Sequence, residues 1–274
     1  MFWTLLWWVL THVIRHFLGL SDTVPALEPP VFPYDIDPVN PMRLEEERIA
    51  REALHGDPRG DMRFDSGIDD LSDAAGLKNK TFRWPGYPGK PQIPYVIDSA
   101  LNSLKPLIKK AMEQYHKLTC IRFVERTSQT DYVEMLKLKG CWSYVGKRGK
   151  NQTLSLGDGC GRVGTIVHEL GHAIGLIHEQ QRSDRDKSVI VFLDNVLKGY
   201  ESNFNKLPTS DELKSKDYDC NSIMQYGEYA FSKQPRKLKT MEGKKSNCKL
   251  REPYEKPGLT NKDIEFINKL YKCK

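Results

Sequence analysis

The eleven residues His168–His178, HELGHAIGLIH, constrain this chain more than any other stretch. They hold three of its seven histidines. His168 and His172 are four apart on a predicted helix, which puts both imidazoles on one face, about 6 Å apart along the axis. That is the geometry of two ligands on one metal. Glu169 follows His168 but points around the helix, so its carboxylate reaches a metal-bound water rather than the metal. Gly175 can take the left-handed turn that ends a helix and reverses the chain. His178 then swings back as a third ligand. Three neutral nitrogens leave Zn²⁺ an open position for water, whose pKa falls to about 7, and Glu169 can take its proton. A lone histidine on an apolar helix face is usually a core residue with a hydrogen-bond partner. HExxHxxGxxH fixes five positions, and a chance match in a chain this size is on the order of one in ten thousand. Three imidazoles with a glutamate base favour one Zn²⁺ per subunit over other metals.

The rest of the composition narrows the setting. Of 274 residues, 28% are charged and 39% apolar, the balance of a globular protein rather than a disordered or membranous one. The net charge of +6 is a mild excess. Nucleic-acid binding would want a dense basic stripe with interleaved aromatics, and the run Arg236–Lys245 lacks them, reading instead as a solvated loop. The N-terminus is strongly apolar to Leu10, then meets His12, Arg15 and His16. That run is too short to span a bilayer but fits a signal peptide over residues 1–20, with cleavage near Gly19–Ser21 or after Ala26. Six cysteines agree with export and suggest three disulfides, although spacing alone permits about fifteen pairings. No Cys-x-x-Cys occurs, so a cysteine zinc site is not expected. Asn79 and Asn151 each head an Asn-x-Thr sequon that could carry a glycan.

Residues 21–75 are rich in Pro, Asp, Glu and Arg and lack the apolar content for a core, as befits a linker or pro-segment. One helix is expected there, Leu44–Leu54, ended by Gly56 and Pro58. Residues 76–274 carry the pattern of a folded domain. Ile93–Asp98 reads as a strand. A helix begins near Ser103, with Pro106 in its first turn. Cys120–Arg126, Asp131–Leu138, Cys141–Gly146 and Thr153–Gly157 read as short strands. After the histidine helix a second helical run is expected over Asn195–Phe204. The last helix is capped by Thr260 with Asp263 three residues on, and Ile264, Ile267 and Leu270 form its apolar face.

Two segments now carry a resemblance. HELGHAIGLIHEQQRSDRD (His168–Asp186) and SIMQYG (Ser222–Gly227) resemble the signatures of the astacin family of metzincin proteases, the second being the Met-turn. TCIRFVERT from Thr119, GCWSYVG from Gly140 and GDGCGRVGTIVHEL from Gly157 support the likeness, which runs from about Ala74 to the end. It implies an α+β, two-lobed fold. The upper lobe would hold a twisted mixed sheet and the active-site helix; the lower lobe would be mostly irregular, with a C-terminal helix. A peptide or protein substrate would lie extended in the cleft and pair with an upper-lobe edge strand.

By the same resemblance, His168, His172 and His178 bind zinc, and Glu169 is general base and later proton donor. Met224 floors the metal, and Tyr226 is a switchable ligand that hydrogen-bonds the oxyanion. Glu179 receives the mature N-terminal ammonium. The implied disulfides are Cys141–Cys160 and Cys120–Cys273, which leaves Cys220 and Cys248 as a third pair. Cys220 stands where the family usually has tyrosine, and Gln225 where it has histidine. Pro253 falls near a substrate-pocket wall where an arginine would favour acidic residues; Pro253 removes that charge, though Arg251 is close by.

The implied protein is a secreted, monomeric zinc endopeptidase made as a zymogen, with no membrane span when mature. A binding protein on a protease scaffold would be expected to have lost a ligand or the glutamate, and none is lost. An adaptor would be expected to carry a further module after Cys273, where only Lys274 follows. Latency in the family comes from a pro-segment aspartate on the zinc. Asp57 and Asp61 compete for that role, and Asp61 is favoured because Met62 and Phe64 can anchor the segment. Cleavage near Ala74–Asn79 would release it.

Overall fold

The computed structural model describes residues 41–64, 80–208 and 213–274. The signal peptide, the Asn79 sequon and the Ala74–Asn79 cleavage region lie outside them.

The fold is mixed α+β. Its main sheet is built around β2 (Gln92–Ile97), which pairs in parallel with β3 (Arg122–Glu125) on one side and β4 (Tyr132–Leu136) on the other. β4 pairs in parallel with β6 (Asn151–Leu156), and β6 runs antiparallel to β5 (Cys141–Tyr144). Between β2 and β3 comes helix α2 (Lys105–Leu118). A 3₁₀ turn, Ser99–Leu104, precedes it, capped by Asp98, whose carboxylate accepts from the Ala100 N–H at 2.8 Å. Pro106 therefore sits in the first α-helical turn, where its missing N–H has no helical partner to lose. The helix buries Ile108, Ala111, Met112 and Tyr115, the stripe that 3.6-residue periodicity requires.

The histidine helix α3 (Val163–Ala173) packs between α2 and the sheet. Ile166, Val167 and Leu170 join Ile93, Met135 and Leu154 in the core. Tyr115 donates from its buried hydroxyl to the Val167 carbonyl at 2.6 Å, and Trp84 from its indole to the Ala173 carbonyl at 2.8 Å. These contacts clamp the middle and the end of α3, so its imidazoles are aimed by a rigid frame rather than a loop.

The second lobe has little regular structure. β7 (Val189–Val191) and β8 (Met241–Gly243) form a two-stranded antiparallel sheet, so part of the basic run Arg236–Lys245 is a strand and not a loop throughout. The expected helix over Asn195–Phe204 is not formed. Two 3₁₀ turns, Leu193–Asn195 and Glu201–Phe204, stand there instead. Gly199 between them has φ +91°, which breaks any helix. Val196 and Phe204 bury themselves separately against Phe231, Met241 and Leu250. Apolar residues at helical spacing were thus serving an irregular core. The C-terminal helix α4 (Asn261–Tyr271) carries a reciprocal cap: Thr260 Oγ1 accepts from the Asp263 N–H at 3.1 Å, and Asp263 accepts from the Thr260 N–H at 2.9 Å.

Three disulfides brace these parts: Cys120–Cys273, Cys141–Cys160 and Cys220–Cys248. The last spans 28 positions within the irregular lobe. Closing a loop of that size contributes roughly 3–4 kcal/mol in the chain-entropy picture. Among the described residues no helix is long and apolar enough to cross a membrane.

Earlier in the chain, α1 (Pro41–His55) extends beyond the expected Leu44–Leu54. Arg48 pairs with Glu45 and Glu52 on its exposed face, while Ala50, Leu54 and His55 are buried. Ile49 and Ala53 lie close against Gly159, where any β-carbon would fall 2.8 Å from the Ile49 carbonyl oxygen. The chain then turns through Gly60 (φ +71°) into β1 (Met62–Arg63), which pairs in parallel with β5. The sheet order is β1-β5-β6-β4-β2-β3. β5, which would otherwise end the sheet on this side, is therefore covered by this upstream segment.

Candidate metal centre and active site

α3 ends at Ala173, and Gly175 (φ +96°) turns the chain so that His178 faces the helix it has just left. His168, His172 and His178 converge with Asp61; one donor atom from each lies within 4.8 Å of all the others, and all four residues are buried. The imidazole orientations are fixed from behind. Nδ1 of His168 is 2.7 Å from the Ile223 carbonyl, Nδ1 of His172 is 2.8 Å from the Leu176 carbonyl, and Nδ1 of His178 is 3.2 Å from Gln181 Oε1. A carbonyl oxygen can only accept, so each Nδ1 carries the proton and each Nε2 turns a lone pair to the centre.

Those lone pairs meet other acceptors. The Nε2 atoms of His168 and His172 are 3.0 Å apart. Asp61 Oδ2 lies 2.9 Å from His168 Nε2, and Oδ1 lies 2.9 Å from His178 Nε2. Among the described residues, His178 Nε2 has no partner with hydrogen-bond geometry. Burial drives His168 below its ordinary pKa and His178 down to about 4, against the pull of Asp61, so neither supplies a stabilising charge at neutral pH. Facing acceptors in a dry site repel unless a cation sits among them. The spacing is close to the roughly 3.3 Å between ligand atoms in a tetrahedron of 2.0–2.1 Å bonds. Three imidazoles and one carboxylate match zinc in number, softness and geometry.

Around this centre stand two further groups. Tyr226, fully buried, donates from its hydroxyl to Asp61 Oδ1 at 2.5 Å, and its ring lies 4.2 Å from that of His178. Glu169 is outside the converging set. Neither of its buried oxygens has a hydrogen-bond partner among the described residues. Burial, then the charge of Asp61, push its carboxyl well above the ordinary range, with Arg63 opposing. Asp57 is elsewhere, paired with Arg59 at 2.7 Å and Arg63 at 2.9 Å. Met62 and Phe64 do pack as apolar anchors, with Val145, Ile177 and Leu207.

Beneath the centre, Met224 is buried against α3, and a β-carbon on Gly171 would come 2.7 Å from its sulfur. Glu179 accepts from Arg182 and from the Asp219 N–H, both at 2.8 Å, and burial raises its pKa to about 7. Gln225 is buried, accepting from the Tyr218 hydroxyl and donating to the Tyr226 carbonyl at 2.9 Å. Pro253 is buried and Arg251 exposed.

Two buried acids escaped the sequence reading. Asp263, legible only as a cap, also accepts from Ser222 Oγ at 2.6 Å and the Ile223 N–H at 2.9 Å, so α4 holds the turn that carries Met224 and Tyr226. Glu252 pairs with His55 at 2.9 Å across 197 residues, for which no local signal exists.

The comparisons with known proteins agree with this site. Residues 77–272 match the family model of astacin, a family of peptidases. The chain is 42% identical over 216 residues to Astacin-like metalloprotease toxin 1 of Loxosceles intermedia, covering 78% of this chain and 80% of that protein. It is 41% identical over 202 residues to Zinc metalloproteinase nas-6 of Caenorhabditis elegans, covering 72% of this chain but only 56% of that longer relative. Among solved structures, High choriolytic enzyme 1, a hatching enzyme zinc-protease from Oryzias latipes, superposes with a TM-score of 0.66 at 36% identity, over 72% of this chain and 97% of that one. With a zinc-fitting His₃ centre on the fold that this family shares, the chain belongs to the astacin family of zinc metalloendopeptidases.

Proposed function

We propose that the protein is a secreted zinc endopeptidase made as a zymogen, with residues 21–75 as its pro-segment and 76–274 as its peptidase domain. The observation that carries this reading is the convergence of three buried Nε2 lone pairs on the Asp61 carboxylate. His168, His172 and His178 hold the metal. Zinc, when bound, supplies Lewis acidity and an acidified water at neutral pH. Glu169 stands beside that centre with no competing hydrogen bond among the described residues, free to take a proton and return it to the leaving amine. The Tyr226 hydroxyl, now on Asp61, turns to the oxyanion of the substrate. The backbone of β5, now taken by β1, receives the extended peptide. Met224 floors the site.

In the latent form Asp61 occupies the point where the imidazoles meet. Proteolysis near Ala74–Asn79 frees β5 and creates an ammonium for Glu179. That carboxylate lines a cavity with Arg182, Ser215, Asp219 and Lys262. Its raised pKa, caused first by burial, is what a cation placed beside it would relieve. Export agrees with three disulfides, with the N-terminal apolar run and with the exposed position of Asn151 as a glycan acceptor. The mature protein acts as a monomer on protein substrates.

The test is digestion of a general peptide mixture by the matured protein, with and without a chelator, alongside metal analysis. One zinc per chain and chelator-sensitive cleavage are expected. Cleavage that survives complete metal removal, or intact zinc binding without any cleavage, refutes the reading.

Tyr226→Phe is expected to lower kcat by about 10²–10³-fold, the usual loss for one oxyanion donor. Zinc content should be unchanged, because the Tyr226 hydroxyl donates to Asp61 and is not one of the converging donor atoms. Near-normal turnover would assign the oxyanion to another group.

A further inference from the structure

Beside the metal centre the upstream segment fills a second pocket. His55, the last residue of α1, is only 6% exposed. Its ring stands edge-on to Tyr226 at 4.8 Å and to Phe231 at 4.6 Å. Nε2 of His55 lies 2.9 Å from Oε2 of Glu252, which is also 6% exposed. Since the Tyr226 hydroxyl reaches Asp61, this pocket adjoins the reaction centre directly.

Glu252 is fixed in place. A β-carbon on Gly227 would come 2.7 Å from Oε1, so the carboxylate is packed against that backbone. Burial alone would push the Glu252 carboxyl up, but His55, the Gly227 N–H and Lys256 outweigh it and hold it below its ordinary range. Lys256 does not close an ion pair with it. Its ammonium donates to the carbonyls of Ser222, at 2.7 Å, and of Gln225. Among the described residues, no side chain other than His55 hydrogen-bonds the Glu252 carboxylate.

We propose that this is a specificity pocket: in the matured enzyme Glu252 selects substrates with a basic side chain, His, Arg or Lys, at a residue adjoining the scissile bond. The inference rests on the zymogen reading, in which His55 leaves with the segment and a substrate side chain takes its place. The physical asymmetry is large. Facing an apolar side chain, this buried carboxylate loses its side-chain donor and keeps only backbone partners; an acidic side chain is repelled, and a donor restores the hydrogen bond. Tyr226 and Phe231 add aromatic walls that suit a cation. Arg251 next door is exposed, where water and salt screen its opposing charge.

The full chain is expressed, matured after folding by a protease without basic specificity, and freed of that protease. An unbiased peptide library then locates the preference. A matched pair of peptides, basic or methionine at that position, gives the ratio of kcat/KM. Enrichment of His, Arg or Lys at one residue adjoining the bond is expected. In Glu252→Gln the ratio should fall toward one by about 10-fold to 100-fold, the range of a charge-assisted hydrogen bond. Glu252→Asp, which keeps the charge, should keep the preference, and it stands as the test if Glu252→Gln does not fold. A merely structural role would slow both peptides and leave the ratio unmoved, which overturns the proposal, as does a profile without basic enrichment. Chelator-sensitive cleavage with a flat profile refutes this pocket alone; absence of chelator-sensitive cleavage refutes the peptidase reading beneath it.

Discussion

Replacing Glu169 by Gln is expected to leave zinc bound and to lower peptide hydrolysis by about 10²–10⁴-fold, the range for loss of a general acid–base group. The expectation follows from where the side chain is and is not. Glu169 shares α3 with His168 and His172 but contributes no atom to the converging donors. Among the described residues its two buried oxygens have no hydrogen-bond partner, so substitution breaks no hydrogen bond there. Gln is isosteric and cannot take a proton at neutral pH. His178→Ala should behave differently, losing metal and activity together, because Nε2 of His178 is one of the donors. Metal analysis on both variants, paired with a peptide assay, separates the roles. Loss of zinc from Glu169→Gln equal to that from His178→Ala would show that Glu169 is a ligand.

Asp61→Ala should make the unprocessed chain hydrolyse peptides, with activity rising on the order of 10²-fold above the latent protein. A carboxylate tethered at the centre competes at an effective concentration of roughly millimolar or more, and its removal abolishes that competition. Activity should stay below that of the processed enzyme, because β1 still pairs with β5 and His55 still sits on Glu252. Asp57→Ala should remain latent. Asp57 pairs with Arg59 and Arg63 at the turn and is absent from the converging set. The assay is run before processing, with the intact mass of the chain verified. A latent Asp61→Ala protein would mean that the cover over β5, and not the carboxylate, keeps the site closed.

The choice between Asp57 and Asp61 shows why sequence reading stops where it does. Each directly follows a glycine, and each has an arginine two residues on. Met62 and Phe64 lean the local reading toward Asp61, but it is the neighbours in space that separate the two, a pair of guanidinium groups for one and three imidazoles for the other. The failed helix over Asn195–Phe204 is the same lesson in the opposite sense. Periodicity reported truly which residues are buried but could not say that Gly199 would divide them between two turns.

What could be read along the chain was the chemistry that local spacing encodes. The four-residue step from His168 to His172 sets one helical face, Gly175 permits the turn that returns His178, and Thr260 with Asp263 starts the last helix, because each depends on backbone geometry within a few residues. Whatever depends on distant strands and loops meeting emerged only in three dimensions. The fold brought β1 onto the β5 edge, put Asp61 among the imidazoles, 107 residues from His168, joined Asp263 to the turn that carries Met224 and Tyr226, 40 residues back, and set His55 on Glu252. Such contacts arise where apolar packing encloses polar groups, because a buried charge is costly unless the fold brings it a partner from elsewhere in the chain.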